Sequence, residues 1–243
     1  MENQEEVLAQ AKLIPANPLA NKSIGDTPID WDSSMGDPTA VAEGSFDGVS
    51  AFVSDLVGVR LTTATDSVTG SLYWDKEFDY TKNIHISGVI TAGNGDGADG
   101  ITVFLGCDSG LTSSSSPTNG IAIYFDEYIG GGGGTSVVKI YNDGNQVFET
   151  YADIPTGDFD LFFYLDDLKW RQFDIIYQYI SPTSAELFVL FDGVYVCKVN
   201  VGSWVSTAGT YVGISAWCGG DNNEHYCKKF QVKSATPWLL MNA

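Results

Sequence analysis

The chain has 243 residues, 44% of them hydrophobic and 13% aromatic, with 27 glycines, a size and composition that suit one large all-β domain. Its 12 basic and 31 acidic side chains leave a net charge of −19. Such a surface repels phosphate backbones and anionic membranes, which excludes nucleic acid as a partner; it suits neutral partners such as glycans, divalent cations, or simply solubility.

The N-terminal 1–43 reads as an arm. Glu2 to Leu13 has the spacing of a short amphipathic helix, with Val7, Leu8 and Ala11 on one side. From Ile14 to Thr39 the prolines Pro15, Pro18, Pro28 and Pro38 recur among Asn, Asp and Gly, so this stretch has no core of its own. Ile24, Ile29 and Trp31 are apolar enough to dock it on the domain or on a neighbouring chain, and deletion of 1–40 is expected to leave a folded domain. The start of the chain, Met1 to Glu6, is acidic and no run approaches 18 apolar residues, so neither a secretory signal nor a membrane span is expected. A place on an extracellular surface or in a virion would then be reached without classical secretion.

Residues 44–235 read as a β-sandwich. Val57–Thr62, Ser71–Trp74 and Asn83–Thr91 alternate or share an apolar face. Asn94-Gly95-Asp96-Gly97 is a sharp loop that dives, past Asp99, into Ile101–Leu105, a run apolar on both pleat faces. Ile121–Asp126 is another buried strand, followed by Gly130–Gly134, which regular structure cannot use. Asn142-Asp143-Gly144 and Asp192-Gly193 are hairpin signals, flanked by Val137–Tyr141 and Gln146–Tyr151, and by Ala185–Phe191 and Val194–Val201. Phe159–Leu165, Trp170–Ile180, Thr210–Trp217 and Tyr226–Lys233 complete about a dozen strands, with no helix expected inside the domain. Phe104, Phe125, Phe163, Ile175, Phe188, Ile214 and Phe230 are expected between the sheets. The tail 236–243 is apolar and expected to dock on the domain or on a partner.

Of the 4 cysteines, Cys107 and Cys197 sit in apolar strands as buried thiols. Cys218 and Cys227 flank a polar loop and either staple it as a disulfide or, with His225, approach a metal site. Enzymatic signatures are missing. No Glu-x-Asp-x-x-Glu pattern of paired carboxylates and no Gly-x-Ser-x-Gly elbow occur; Asp158/Asp160 and Asp166/Asp167 read as turn residues, and His85 as an ordinary strand residue.

Leu61-Thr62-Thr63-Ala64, Gly70-Ser71-Leu72-Tyr73-Trp74, Phe78-Asp79 and Ala98-Asp99-Gly100-Ile101-Thr102-Val103-Phe104-Leu105 follow one another in the order of L-type (legume-like) lectin domains. From Gly44 to Lys233 the chain resembles that family. Ile121–Tyr128 resembles its metal-site strand, with Asp126 at the central Asp, and Tyr211–Ala216 its late strand before the last sugar-contacting loop. The resemblance implies a concanavalin-like jelly-roll sandwich of antiparallel sheets, a sugar contact through Asp99 across an Ala–Asp cis peptide, and calcium held in part by Asp126. Two departures stand out: Tyr124 occupies the Glu position of the family's Glu-x-Asp, and Gly130–Gly134 fall where Asn and Asp ligands follow, leaving Asp143 as a distant alternative.

The resulting expectation is a non-enzymatic carbohydrate-binding module that recognises a glycan-coated surface. Its contacts would come from Asp99 and Gly100, from amides of Gly131 and Gly132, and from Asp221 and Asn222, with Tyr128 or Trp217 stacking on the sugar. The alternative is a structural or assembly protein, such as a virion or capsid-associated component. That protein would keep the sandwich as a scaffold and meet copies of itself or particle neighbours through arm and tail.

Overall fold

Strand-period alternation along most of the chain resolves into two stacked sheets. The computed structural model describes residues 28–76, 78–107, 119–127, 137–149, 167–202 and 211–235. In chain order the elements are β1 (Ile29–Asp32), a 3-10 turn (Ser33–Met35), α1 (Pro38–Val41), β2 (Ser45–Gly48), β3 (Ala51–Ser54), β4 (Gly58–Thr62), β5 (Thr69–Asp75), β6 (Asn83–Gly93), β7 (Gly100–Cys107) and β8 (Ile121–Asp126). They continue with β9 (Val137–Asn142), β10 (Asn145–Glu149), β11 (Arg171–Ser181), β12 (Ser184–Phe191), β13 (Val194–Asn200), β14 (Tyr211–Trp217) and β15 (Glu224–Ala235). One sheet runs β13-β12-β11-β6-β15-β4-β3, with β1 also on β15; the other runs β10-β9-β8-β7-β14-β5-β2. The strand pairs are antiparallel. This is the all-β jelly-roll sandwich expected.

The core lies between the sheets, where alternate residues of facing strands meet. Ile84, Ile86 and Ile90 of β6, Ile101, Val103 and Leu105 of β7, and Phe173, Ile175 and Tyr177 of β11 are buried there. Trp74 stacks on Phe230 across it, ring centroids 5.2 Å apart and nearly parallel. Phe125 packs against Phe173 at 6.0 Å and Phe191 at 5.5 Å. Burying a side chain of this size contributes about 1.5–3 kcal/mol, so these aromatic pairs anchor one sheet on the other. Both hairpin signals make tight turns: Asp143 and Gly144 have φ of 47° and 77°, Asp192 and Gly193 of 48° and 75°, the positive φ pair of a type I′ turn.

Several expectations need correction. The docking expected of the arm through Ile29 and Trp31 is found, and it goes further than packing, because β1 joins the sandwich as a strand. Ile29–Asp32 pairs with Val232–Lys229 of β15, and Ile29 and Trp31 are buried in the core. The Trp31 indole N–H donates to Gly36 O at 3.0 Å. Ahead of residues 44–235, where no helix was expected, Asp37 caps α1 by accepting from the Thr39 amide at 2.8 Å, with Pro38 at its first turn. Phe104 is buried but on the outer face of its sheet, with Cys107, Tyr73 and Tyr211, because Val103 and Leu105 take the inner positions. Phe188 is likewise on the outer face, under the Lys198 ammonium at 5.5 Å.

Cys218 and Cys227 form no disulfide; all four cysteines are buried thiols. The reason is topological. β14 and β15 belong to different sheets, so the loop between them crosses the sandwich rather than closing a hairpin. Cys227 faces the core, while Cys218 turns to the loop backbone of Asn223. The expected helix at 2–13, Phe163, strand 159–165 and tail 236–243 lie outside the described residues.

Candidate functional site

Antiparallel pairing brings four chain segments to one end of the sandwich: the end of β4, the loop 94–99 entering β7, the end of β8 at Asp126-Glu127, and the β14–β15 loop 218–223. Asp99 sits at their meeting point. The Ala98–Asp99 peptide bond is cis, as the resemblance implied. The Asp99 amide donates to Trp217 O at 3.0 Å, and Asp99 O accepts from the Glu127 amide at 2.8 Å and the Tyr124 hydroxyl at 2.8 Å. Two strands, β14 and β8, thus fix its backbone. The residue is 9% exposed, and its Oδ2 is shielded from solvent with no hydrogen-bond partner. Burial raises the Asp99 pKa; the Gly219 amide opposes this, while the nearby Asp126 and Asp221 carboxylates add to it.

Neighbouring residues fit tightly around that carboxylate. A Cβ on Gly219 would sit 2.7 Å from Asp99 Oδ2, so glycine is required for the loop to pass. Gly100, with φ of +149°, lies against β8: a Cβ there would meet Phe125 O at 2.1 Å. Its role is close packing of two strands. Asn222 is a clasp between loops. Its side-chain amide donates to Asp66 at 2.7 Å, and its carbonyl accepts from the Asp96 amide at 2.8 Å and the Gly97 amide at 3.2 Å. Asp221 lies half-buried beside it. The Trp217 ring leans on Tyr124, centroids 6.5 Å apart, and its indole N–H has no partner. Gly131, Gly132 and Tyr128 lie outside the described residues.

Asp126, the expected metal ligand, is engaged otherwise. Its Oδ2 meets the Lys139 ammonium at 2.5 Å. That ammonium also lies 3.8 Å from Glu149 and 5.9 Å above the Tyr124 ring. Strand register explains the encounter: Lys139 is opposite Tyr124, and Asp126 is its diagonal neighbour on the same face. Among the described residues no group of three or more His, Cys, Asp or Glu is arranged to hold a metal ion.

Beneath Asp99 lies a buried polar cluster that pattern reading overlooked. His225 is fully buried. Its Nδ1 is 2.6 Å from Thr62 Oγ1, which itself donates to Asn223 O at 2.9 Å. A hydroxyl has one proton, so His225 Nδ1–H donates to Thr62. Nε2 lies 3.4 Å from Glu127 Oε2, near enough for charge attraction though not aligned as a hydrogen bond. Asn223 Nδ2 donates to the same carboxylate oxygen at 3.0 Å. Burial alone would lower the His225 pKa, but Glu127 and Cys218 outweigh it and push it up to about 9. Burial likewise raises Cys218, and the imidazole outweighs it, so that thiol is lowered. The ring is therefore an imidazolium at neutral pH. Of this cluster, sequence reading named Cys218 and His225 together, but with Cys227 rather than Glu127. The overlooked signal is Glu127, one residue past a buried strand and so turned to the other side of its end.

The chemistry available is acceptance of hydrogen bonds. Asp126 is paired to Lys139 and Glu127 Oε2 lies against His225 and Asn223, while Asp99 Oδ2 and Glu127 Oε1 are buried carboxylate oxygens without a hydrogen-bond partner among the described residues.

No protein-family model matches the chain, and no curated protein matches it in sequence. Its fold is found in solved structures. The Ca2+-bound exoplasmic/lumenal domain of VIP36 superposes with a TM-score of 0.60 at 14% identity, covering 86% of this chain and 90% of that one. The metal-free carbohydrate recognition domain of Emp46p gives 0.61 at 14% identity over 85% and 99%. That of Emp47p gives 0.56 at 15% identity over 79% and 89%. The chain thus has the legume-lectin fold of these carbohydrate recognition domains.

Proposed function

We propose that the chain is a non-enzymatic carbohydrate-binding module whose sugar site is the loop end around Asp99. One observation carries the reading: in a lectin fold, an aspartate that follows a cis peptide, its backbone fixed by β8 and β14, sits where four chain segments meet at one end of the sandwich. Its carboxylate is an acceptor of hydrogen bonds, and sugar hydroxyls are donors of matching size. Trp217 offers an aromatic face and an unpartnered N–H beside it. Asp221 supplies a further contact. The VIP36 domain has been solved with Ca2+ and Man3GlcNAc, so mannose-containing oligosaccharides are the first class to test.

Lectin sites are shallow, so single-site affinity is weak and useful attachment relies on many copies. The test is a multivalent glycan array probed with wild type and Asp99→Asn. That change keeps size but replaces an acceptor oxygen with a donor amide. Wild type is expected to bind a defined glycan class, and Asp99→Asn to lose at least tenfold in apparent affinity, the loss of about 1.4 kcal/mol. Equal binding by both proteins would overturn the site assignment.

A second reading, a scaffold or particle component, draws on one edge of the sandwich. Met35, Val41, Val49, Val53 and Leu56 are exposed there, Leu56 at 82%, on the segments that flank the edge strands β2 and β3. An apolar edge suits contact with another protein surface, and both roles fit a surface-exposed particle protein.

A further inference from the structure

The solved VIP36 domain carries Ca2+, and Asp126 occupies the corresponding strand by resemblance, yet the described residues around Asp126 do not suit that ion. Calcium takes about six to eight oxygens, mostly carboxylates and carbonyls. Here Tyr124 stands where a second carboxylate is needed, and its hydroxyl donates to Asp99 O rather than facing a cation. The Asp126 carboxylate already meets a positive charge, the Lys139 ammonium at 2.5 Å. That ammonium sits among the groups that would attract a metal: Asp126, Glu149 at 3.8 Å and the π face of Tyr124 at 5.9 Å. Lys139 is only 22% exposed in its side chain and Asp126 7%, so the pair is shielded and holds in salt better than a surface ion pair. Meanwhile the Tyr124 hydroxyl and the Glu127 amide clamp the Asp99 carbonyl, so the backbone beside Asp99 is held by protein groups.

We propose that Lys139 is a built-in counter-cation: its ammonium takes the place of the divalent ion beside Asp126, so the site end of this chain is assembled without metal. The metal-free assembly stands on these contacts alone; its consequence, sugar binding indifferent to chelation, rests on the carbohydrate-binding reading. Lys139 acts here as a positioning residue, charging the strand pair that supports Asp99 and Tyr124.

Two measurements on the full chain separate the parts. The first is thermal unfolding in EDTA, in calcium and in magnesium at matched ionic strength. A site filled by calcium at a hundredfold excess over its Kd would raise Tm by roughly 5–10 °C for a domain of this size. The expected result is equal Tm in calcium and magnesium and no loss in EDTA; a calcium-specific rise of that size would overturn the proposal. In the same assay Lys139→Gln should melt lower than wild type, and Lys139→Arg, which keeps the charge, should recover most of the loss. Lys139→Gln melting with wild type, or Lys139→Arg melting with Lys139→Gln, would overturn it equally. The second measurement is glycan binding by wild type in EDTA and in calcium. Equal binding in both supports the proposal, and binding only in calcium overturns it. Absence of binding in both overturns the carbohydrate reading alone, since the thermal arm decides the role of Lys139 by itself.

Discussion

At the scale of single residues, the His225–Glu127 pair governs the underside of the site. Both side chains are almost fully shielded, and removing one partner of a buried pair strands the other. Glu127→Gln should therefore cost about 3–5 kcal/mol of unfolding free energy. The pair also sets a pH dependence. His225 holds its proton up to about 9 folded against 6.5 unfolded. Its contribution is complete below pH 6.5 and fades as pH rises to about 9, by on the order of 1–3 kcal/mol. Cys218, whose pKa is lowered, has the opposite slope, so Cys218→Ala removes that opposing slope together with the thiol's own share of the histidine shift and leaves the share from Glu127. Urea unfolding across that range checks both points: a fall in stability with rising pH should remain in Cys218→Ala and vanish in Glu127→Gln. A flat profile in Cys218→Ala would mean that His225 is neutral. The legibility of these residues differs for physical reasons. Asp99 was readable because a local motif carries it. Glu127 and Lys139 were not, because each acquires its role from a partner in another strand, fixed by register and by the end of a sheet.

At the scale of elements, short strands with strong turn signals were readable and non-local pairing was not. Asp143-Gly144 and Asp192-Gly193 specify their hairpins from within a few residues. β1 is different: four residues between prolines resemble an arm until β15 offers them an edge. Trp31 Cβ and ring then lie in the core beside residues some two hundred positions later. Deletion of 1–40 accordingly removes a strand and a core tryptophan, and the expectation of an intact truncated domain gives way. Trp31→Ala should cost about 3–5 kcal/mol through the cavity left behind. The 1–40 deletion should melt far below full length, or fail to fold, whereas removal of 1–26 leaves β1 in place. Chemical unfolding of the three proteins checks this. A 1–40 deletion as stable as full length would mean that the β1–β15 pairing contributes nothing. The cysteines teach the same lesson, since Cys218 and Cys227 are near in sequence but their strands belong to different sheets.

At the scale of the whole molecule, charge and fold act on stability from opposite sides. Two sheets closing over an aromatic core supply cohesion, and alternation along the strands made that core legible, apart from faces such as that of Phe104, where both sides of a strand are buried. Against it stands a net charge of −19, which a compact fold concentrates and an unfolded chain spreads out. Several ion pairs are partly exposed, such as Lys82–Asp79, and such pairs are worth about 0–1 kcal/mol each. They cannot offset repulsion among so many unbalanced carboxylates. Screening shortens electrostatic reach from about 30 Å at 0.01 M salt to about 10 Å at 0.1 M, which weakens that long-range repulsion more than it weakens close, shielded pairs such as Lys139–Asp126. Thermal stability should therefore rise with sodium chloride over this range, by a few degrees given that about 1 kcal/mol corresponds to roughly 2–4 °C at this size. Magnesium and calcium should each act through ionic strength and by equal amounts. A Tm that falls as sodium chloride is added would mean that local ion pairs, rather than net repulsion, dominate the electrostatics of this fold.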